Sequence, residues 1–268
     1  KFVDEHSSGN PFFCYVAFTA PHWPLHAKEP DIQKYMEKYR IGWDSLRAER
    51  FARMKKMGVL LPGVELTERD KSIPAWNDIP EKERALWVKR MAVYAAQIDC
   101  MDQGIGRIME KLKRKGILDN TLIMFLSDNG GCAEPISRAD TCIEKLGTTE
   151  SFESYRINWT NASNTPFREY KHWTHEGGIS TPFIMHWPAG TKEKNIFTDQ
   201  IAHITDVMAT CIDLSKAIYP DSFKGEKIYS LNGKSLVPVM RGSLFDREYL
   251  FWEHEANRAV RLGKWKLV

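Results

Sequence analysis

Long apolar runs and a dominant charge sign are both missing from this sequence of 268 residues. No stretch approaches the roughly 20 uninterrupted apolar residues that a membrane-spanning helix needs. The 38 Lys and Arg residues are scattered among 35 Asp and Glu residues, which leaves a net charge of +3 and no basic stripe of the kind that binds nucleic acid. We therefore expect a soluble chain with no membrane span and no nucleic-acid partner.

Cysteine is also scarce. The five cysteines are odd in number, widely spaced and without a CxxC pair, which argues against a zinc cluster and against a full disulfide framework. Only Cys132 and Cys142, which stand in the same polar stretch, are placed to form a bridge. The first ten residues contain neither a start methionine nor the apolar core of a signal peptide, so we expect the chain to begin inside a longer protein.

The composition that is present, 43% hydrophobic and 27% charged, is that of a globular protein with a sizeable core. Residues 11–20 (PFFCYVAFTA) are continuously apolar, which predicts a strand buried on both faces of a parallel sheet. Apolar residues at steps of three and four between Pro80 and Gly116 predict one long helix. Residues 121–126 (TLIMFL) predict a second buried strand, and this order of elements favours a parallel crossover unit.

The tail of the chain has a different pattern. Residues 248–255 and 258–268 alternate in short segments separated by turns, which predicts a small antiparallel sheet. We expect an α/β domain over residues 1–220, with a mixed, mostly parallel sheet flanked by helices, and a partial antiparallel subdomain over 221–268. Because the sequence stops within a predicted strand, we expect truncation at both ends. The remaining predictions are helical structure within 31–57, a loop over 58–80, a polar loop over 131–170, a strand over 181–187 and a helix over 203–215.

Asp128 and Asn129 follow the second predicted strand and precede two glycines. Ligands of open α/β sheets bind beyond the carboxyl ends of the strands. A carboxylate and an amide carbonyl are hard oxygen ligands that suit Ca²⁺ or Mg²⁺. The glycines would let the backbone leave strand geometry, so that both side chains reach one site. The alternative is a plain turn, which these four residues also favour.

Two further polar residues adjoin predicted strands. His22 lies between Pro21 and Pro24, which we expect to hold it in an extended, rigid segment, and its imidazole can bind an anion or donate a proton. Lys171 precedes an EGG sequence and offers a compact positive charge suited to a tetrahedral oxyanion. Taken singly, each also fits a plainer interpretation, as a structural histidine and a solvated surface lysine.

Together these segments resemble the sulfatases of the alkaline phosphatase superfamily. The run FFCYVAFTAPHWPLHA resembles their PHxP segment, and the stretch ending in TLIMFLSDNGG resembles their long helix, strand and SDNG signature. The run FREYKHWTHEGGISTPFIMHWPAG resembles their segment with a lysine and EGG. Since HITDVMATCIDL, LNGKSLVPVM and FWEHEANRAVRLGKWKLV fit as well, the resemblance covers nearly the whole chain and implies an alkaline phosphatase-like fold.

The resemblance implies roles for individual residues. Asp128 and Asn129 would bind one active-site Ca²⁺, His22 would contact the sulfate or the leaving-group oxygen, and Lys171 would contact the sulfate. We expect His175, in the same segment as Lys171, to touch the substrate. The implied reaction is attack of a formylglycine hydrate on the sulfur of a sulfated small molecule or polysaccharide, in the periplasm or outside the cell.

One part of the family pattern is missing from the sequence. The formylglycine derives from Cys or Ser in a C/S-x-P-x-R motif, and the nearest matches, at Cys132, Ser72 and Ser180, do not complete it. We expect the nucleophile and the other metal carboxylates upstream of Lys1, and the fragment alone to be nearly inert.

Two other functions stay open on the sequence. A phosphonate or phosphate ester hydrolase of the same superfamily needs similar groups, although one lysine with one Asp-Asn pair fits a single-metal plan better than a two-metal phosphatase. A non-catalytic module that recognises sulfated glycans would use some of the nine Trp and nine Tyr for sugar stacking.

Overall fold

The computed structural model of the protein describes residues 2–5, 9–138, 142–245 and 247–268. The helices in these ranges are α1 (Phe2–Glu5), α2 (Glu29–Met36), α3 (Gly42–Lys56), α4 (Glu81–Arg114), α5 (Arg156–Ser163), α6 (Glu176–Ile179), α7 (Thr205–Ser215) and α8 (Val237–Met240). The strands are β1 (Ile123–Leu126), β2 (Phe183–His186), β3 (Ser222–Phe223), β4 (Glu226–Lys227), β5 (Tyr249–His254), β6 (Asn257–Leu262) and β7 (Trp265–Leu267). Short 3₁₀ helices span Lys38–Ile41, Trp76–Asp78 and Leu118–Asn120.

The longest element is α4, and its 34 residues confirm the prediction of one long helix. Pro80 stands just before the first helical residue, and Gly116 follows the last turn with φ of 70°, a conformation that glycine adopts without steric cost. Val88, Met91 and Ala95 place apolar groups at steps of three and four on its buried face. Neither α4 nor any other helix of the described ranges is apolar enough over a sufficient length to span a bilayer.

The hydrophobic core lies on the helical side of the molecule. Trp43 of α3 makes edge-to-face contacts with Trp76, Trp87 and Trp159, at ring-centroid distances of 4.7, 5.4 and 5.5 Å. This is the geometry in which aromatic pairs attract. The buried indole N–H of Trp159 donates to the Trp87 carbonyl at 2.8 Å, so burial leaves this donor satisfied.

The sheet differs from the prediction. β1 and β2 pair antiparallel, with Met124 opposite Met185, and every strand pair of the described ranges is antiparallel. The mostly parallel sheet expected from the sequence therefore does not form within these ranges. A parallel crossover requires strands in both 11–20 and 121–126, and only the second of these segments forms a strand.

Residues 11–20 are irregular, so the prediction of a buried strand there was wrong. Phe13 is 72% exposed and Tyr15 is 82% exposed. Apolar, aromatic and β-branched residues favour a strand, but a strand forms only where another strand accepts its hydrogen bonds. No strand of the described ranges pairs with this segment.

The predicted polar loop over 131–170 contains α5, and its residues 139–141 lie outside the described ranges. Its anchor is the buried Glu153, whose carboxylate accepts a hydrogen bond from Arg90 of α4 at 3.0 Å. The Glu153 carbonyl accepts from the Leu25 N–H, also at 3.0 Å. The loop thus links the PHxP segment to the long helix.

The tail forms the antiparallel sheet that the sequence predicts, in the order β5–β6–β7. Glu255 and Ala256 make the tight turn between β5 and β6, both with positive φ. The Asn257 side chain donates to the His172 carbonyl at 3.1 Å, and Lys266 donates to Glu176 at 2.7 Å. The sheet is therefore docked on the segment that carries Lys171.

Candidate active site

His22 lies in a tight bend and not in the extended segment expected from its neighbouring prolines. Its N–H donates to the Thr19 carbonyl at 3.0 Å, and the peptide bonds before Pro21 and Pro24 are cis. The ring is exposed, with Nδ1 2.8 Å from the Trp23 carbonyl. Since a carbonyl only accepts, Nδ1 carries a proton, and in the neutral ring Nε2 is the acceptor that points away from the bend.

Lys171 lies next to the Nε2 atom of His22. Its Nζ lies 3.5 Å from His22 Nε2, so these two predicted site residues are in contact. The Lys171 backbone N–H donates to the Gly131 carbonyl at 2.9 Å. This hydrogen bond fixes the lysine beside the segment that begins with Asp128 and Asn129.

Asp128 and Asn129 lie in a bend that follows β1, so the backbone has left strand geometry there as the sequence predicts. Asp128 is exposed and Asn129 is half-buried. The Asn129 Nδ2 donates to the Gly130 carbonyl at 2.8 Å, which leaves Oδ1 as the atom this side chain can offer to a cation. Both residues are thus able to present hard oxygen atoms.

Close backbone packing explains the glycines on either side of the site. The Gly130 N–H donates to the Gly178 carbonyl at 2.8 Å, and a Cβ on Gly130 would lie 1.8 Å from the Gly177 oxygen. The Asn164 side chain accepts from the Gly131 N–H at 3.0 Å and donates to the Gly177 carbonyl at 2.9 Å. The two glycine pairs therefore hold the segments of Asp128 and Lys171 together.

His175 is placed differently from the other candidates. It stands just before α6, and its Nδ1 is buried without a hydrogen-bond partner in the described structure. Burial lowers the pKa of this imidazole, and the nearby Arg168 lowers it further. Within the described ranges no hydrogen bond or ring contact joins it to His22 or Lys171, and its contact with substrate stays a prediction.

Glu134 was missed by the sequence analysis. Its Oε2 accepts hydrogen bonds from the Trp23 indole at 2.9 Å and from the Cys132 thiol at 2.8 Å. These two bonds, the thiol first, lower the pKa of the Glu134 carboxyl, and the charge of Lys171 adds to the effect. An ionised carboxylate therefore lies within electrostatic range of the Lys171 ammonium. The sequence does not single out Glu134, because its hydrogen-bond partner Trp23 is 111 positions away.

The cysteines form no bridge. All five are free thiols, including Cys132 and Cys142, the one pair that the sequence placed for a disulfide. Burial raises the pKa of the Cys132 thiol, and the bond to Glu134 raises it further, which keeps the thiol protonated as a donor.

The arrangement suits a small oxyanion. An ammonium and an imidazole meet at an exposed surface, and preorganised donors of this kind stabilise negative charge on transferring groups. The hard oxygens of Asp128 and Asn129 lie on the segment to which the lysine backbone is bonded. Such a set favours chemistry on sulfate or phosphate esters.

Comparison with known proteins gives relatives along the whole chain. An uncharacterised sulfatase of Schizosaccharomyces pombe is 31% identical over 292 residues, which cover 100% of this chain and 52% of that protein. An arylsulfatase of Klebsiella aerogenes is 34% identical over 250 residues, covering 87% of this chain and 51% of that protein. The chain thus spans about half the length of these curated relatives.

Solved structures share the fold. The structure of Ps i-CgsB in complex with k-i-k-neocarrahexaose superposes with a TM-score of 0.58 at 22% identity, covering 99% of this chain and 43% of that one. A phosphonate monoester hydrolase of Agrobacterium radiobacter superposes with a TM-score of 0.55 at 18% identity, covering 99% and 49%. The family profile described as Sulfatase matches residues 1–217, and the chain therefore belongs to the sulfatase family.

Proposed function

We propose that this chain supplies the sulfate-binding part of a sulfuric ester hydrolase. The observation that supports the proposal most directly is the contact of His22 Nε2 with Lys171 Nζ at 3.5 Å on an exposed surface. In a member of the sulfatase family, this pair gives one small anion a fixed positive charge and a proton donor.

His22 is the proposed general acid. Its Nδ1 proton is held by the Trp23 carbonyl, so the ring nitrogen that can exchange a proton with a ligand is Nε2. With a proton on Nε2, the imidazolium gives it to the leaving alcohol oxygen as the sulfur–oxygen bond breaks. During this step the Lys171 ammonium binds the sulfuryl oxygens. General acid catalysis by a group such as His22 contributes a factor of about 10²–10⁴ to the rate.

Asp128 and Asn129 are the proposed ligands of a divalent cation, which we expect to be Ca²⁺. Their donor atoms fit this ion, because Asp128 is exposed and the amide N–H of Asn129 donates to the Gly130 carbonyl, which leaves Oδ1 as the atom that can bind a cation. When bound, the ion supplies positive charge near the sulfuryl oxygens. Ca²⁺ takes about six to eight oxygens, so these two supply part of its shell.

The proposed nucleophile is a formylglycine that lies outside these 268 residues. No C/S-x-P-x-R motif occurs in the sequence, and the chain matches only 51% of the Klebsiella aerogenes arylsulfatase. A complete active site would then combine the nucleophile of another segment with the anion-binding groups of this chain.

The proposed substrates are sulfate esters, with carbohydrate sulfates as the favoured class, and the proposed location is the periplasm or the cell exterior. The Klebsiella aerogenes relative is an arylsulfatase, and the Ps i-CgsB structure holds a neocarrahexaose. The fold shared with a phosphonate monoester hydrolase makes phosphonate esters the second candidate.

The test uses the complete protein that carries these residues, with an aryl sulfate and the matched aryl phosphonate as substrates. We expect the sulfate to be preferred, and Lys171→Ala to lower kcat/KM for it by about 10²–10³, the usual effect of removing one donor from a preorganised anion site. The matched control is Lys113→Ala, which removes an exposed lysine of α4. Equal kcat/KM for the two variants, or preference for the phosphonate, would contradict the proposal.

A further inference from the structure

A second group of metal-ligating side chains lies beside the site already described. His172 follows Lys171 directly, and His254 and Glu255 stand where β5 turns into β6. Their ligand atoms all lie within 4.8 Å of one another. The group therefore joins a loop to a hairpin 82 positions further along the chain.

Two of the three distances within this group are close to the ligand spacing around a small tetrahedral ion, and the third is longer. His172 Nδ1 lies 3.0 Å from Glu255 Oε2 and 3.3 Å from His254 Nε2, and His254 Nε2 lies 4.0 Å from Glu255 Oε1. Zinc bonds of about 2.0–2.1 Å in a tetrahedron place neighbouring ligand atoms about 3.3 Å apart. Two imidazoles and one carboxylate also form the ligand set of a zinc site that keeps one position open.

One proton on His172 Nδ1 cannot serve both of its close neighbours. The single proton that His172 Nδ1 can carry serves only one of its two close neighbours, the Glu255 carboxylate or the His254 nitrogen. A divalent cation, by contrast, accepts a lone pair from all three atoms. The other ring nitrogen of His172, Nε2, lies 3.8 Å from Glu134 Oε1, which is longer than a hydrogen bond but places a carboxylate on that side of the ring. A carboxylate on the far nitrogen is the usual outer-shell partner of a metal-bound histidine.

The backbone supports the group independently of the side-chain distances. His172 has φ of 83°, in the left-handed region that non-glycine residues seldom adopt, whereas the φ of 50° at Glu255 belongs to the two-residue turn between β5 and β6. Such conformations persist only where surrounding contacts enforce them, and they cluster at functional sites. The Asn257 side chain donates to the His172 carbonyl at 3.1 Å, and the His172 and His254 rings stack at 5.4 Å. Both contacts hold the ligand-bearing segments in place.

We propose that His172, His254 and Glu255 form a binding site for a zinc-like transition-metal ion, built from residues other than the Asp128–Asn129 oxygen pair. The chemistry separates the two sites, since imidazole nitrogen favours zinc and all-oxygen sets favour Ca²⁺. An ion here ties the β5–β6 turn to the backbone next to Lys171. Metal occupancy therefore acts on the position of the anion-binding lysine.

The test is a titration of the metal-free protein with Co²⁺, followed by visible absorption, and then displacement of the Co²⁺ by Zn²⁺. We expect one equivalent to bind with the spectrum of nitrogen and oxygen ligands, without the intense near-ultraviolet band of a thiolate such as Cys132. His254→Ala, which truncates a side chain that is 57% exposed, should abolish this spectrum without unfolding the protein. Glu134→Gln should weaken binding by about 10–100-fold, as outer-shell changes do.

Control variants make the outcome decisive. His203→Ala removes a histidine outside the group, and Asp128→Ala removes a proposed Ca²⁺ ligand, and both should bind Co²⁺ as the parent does. Circular dichroism identifies folded variants, and Glu255→Gln replaces His254→Ala if the latter does not fold. Absence of stoichiometric Co²⁺ binding, or equal binding by the parent and His254→Ala, would overturn the proposal. Because the readout is metal binding, it stands or fails separately from the proposed sulfatase activity.

Discussion

His22 and Lys171 meet although 149 positions separate them in the sequence. Their contact depends on two bends, one closed by the His22 N–H on the Thr19 carbonyl and one fixed by the Lys171 N–H on the Gly131 carbonyl. Backbone hydrogen bonds thus position both side chains before any ligand arrives. Preorganisation of this kind removes much of the reorganisation that a charged transition state would otherwise require.

The proposed role of His22 as a general acid makes a prediction about leaving groups. In the complete protein, His22→Ala should slow the hydrolysis of alkyl sulfates by about 10²–10⁴, because a poor leaving alkoxide needs the proton that His22 donates. Aryl sulfates with acidic phenols should be slowed far less. The measurement is kcat/KM across a series of esters that differ in leaving-group pKa. Equal slowing of all members of the series would show that His22 binds the sulfate without donating a proton.

Residue types could be predicted from the sequence better than residue contacts. Asp128, Asn129, His22 and Lys171 stand out because each follows or precedes an apolar segment and carries a group that suits oxyanion chemistry. Glu134 does not stand out, because a glutamate in a polar loop is ordinary until Trp23 and Cys132 are seen to donate to it. Long-range hydrogen bonds of this kind leave no periodic trace in a sequence.

At the scale of elements, the close approach of Gly130 to Gly177 predicts that one added methyl group strongly lowers the stability of the protein. Gly130→Ala should lower the free energy of unfolding by about 1–3 kcal/mol or more, because its Cβ would meet the Gly177 carbonyl oxygen at 1.8 Å and the backbone must move. The control is Gly106→Ala in α4, where a Cβ meets nothing within 4 Å. That change should raise the stability by up to about 1 kcal/mol through helix propensity. Chemical denaturation of both variants measures the difference, and similar effects would show that the close approach is unimportant.

The junction of α2 with α4 predicts a dependence of stability on acid. A hydrogen bond from Lys34, and then one from Cys100, lowers the pKa of Asp31 from its ordinary value of 3.8 to about 2. Because the folded-state pKa lies below the unfolded one, the stabilisation by this carboxylate is complete above about pH 5 and disappears as the pH falls from about 4 to 2. Asp31→Asn should therefore lower the free energy of unfolding at pH 7. The difference in this free energy between the variant and the parent should shrink as the pH falls toward 3. Urea unfolding at several pH values tests this, with Asp102→Asn, an exposed carboxylate of α4, as the control. A difference independent of pH would contradict it.

Helices and strands were predicted correctly where the element, or its neighbour in the sequence, supplies its own backbone hydrogen-bond partners. α4 was predictable because a helix satisfies its own backbone hydrogen bonds, so periodicity and terminal residues determine it. The tail strands were predictable because adjacent hairpins bring their own partners. Residues 11–20 were mispredicted because the partner of a lone strand must come from elsewhere in the chain, and apolar composition does not identify that partner.

At the scale of the whole molecule, burial is uneven. The core tryptophans gather where α3, α4 and α5 meet; they are Trp43, Trp76, Trp87 and Trp159. Phe13, Tyr15 and Phe18 of the 11–20 segment, by contrast, lie exposed. The helices therefore form a tightly packed core, whereas the candidate site lies at the exposed surface. Four of the nine tryptophans serve the core and are not available to stack on sugars.

This division predicts how the 268-residue chain behaves alone. We expect it to bind inorganic sulfate weakly through His22 and Lys171 but to hydrolyse an aryl sulfate about 10⁶-fold more slowly than the complete protein, since removal of a covalent nucleophile costs on the order of 10⁶ in kcat. Sulfate binding, followed by chemical-shift changes of the His22 ring, should disappear in Lys171→Ala. Turnover by the isolated chain at a rate near that of the complete protein, lost in His22→Ala, would place the nucleophile within these residues. If this chain carries the anion-binding groups and another segment carries the nucleophile, the isolated chain should bind sulfate but should not turn over the aryl sulfate.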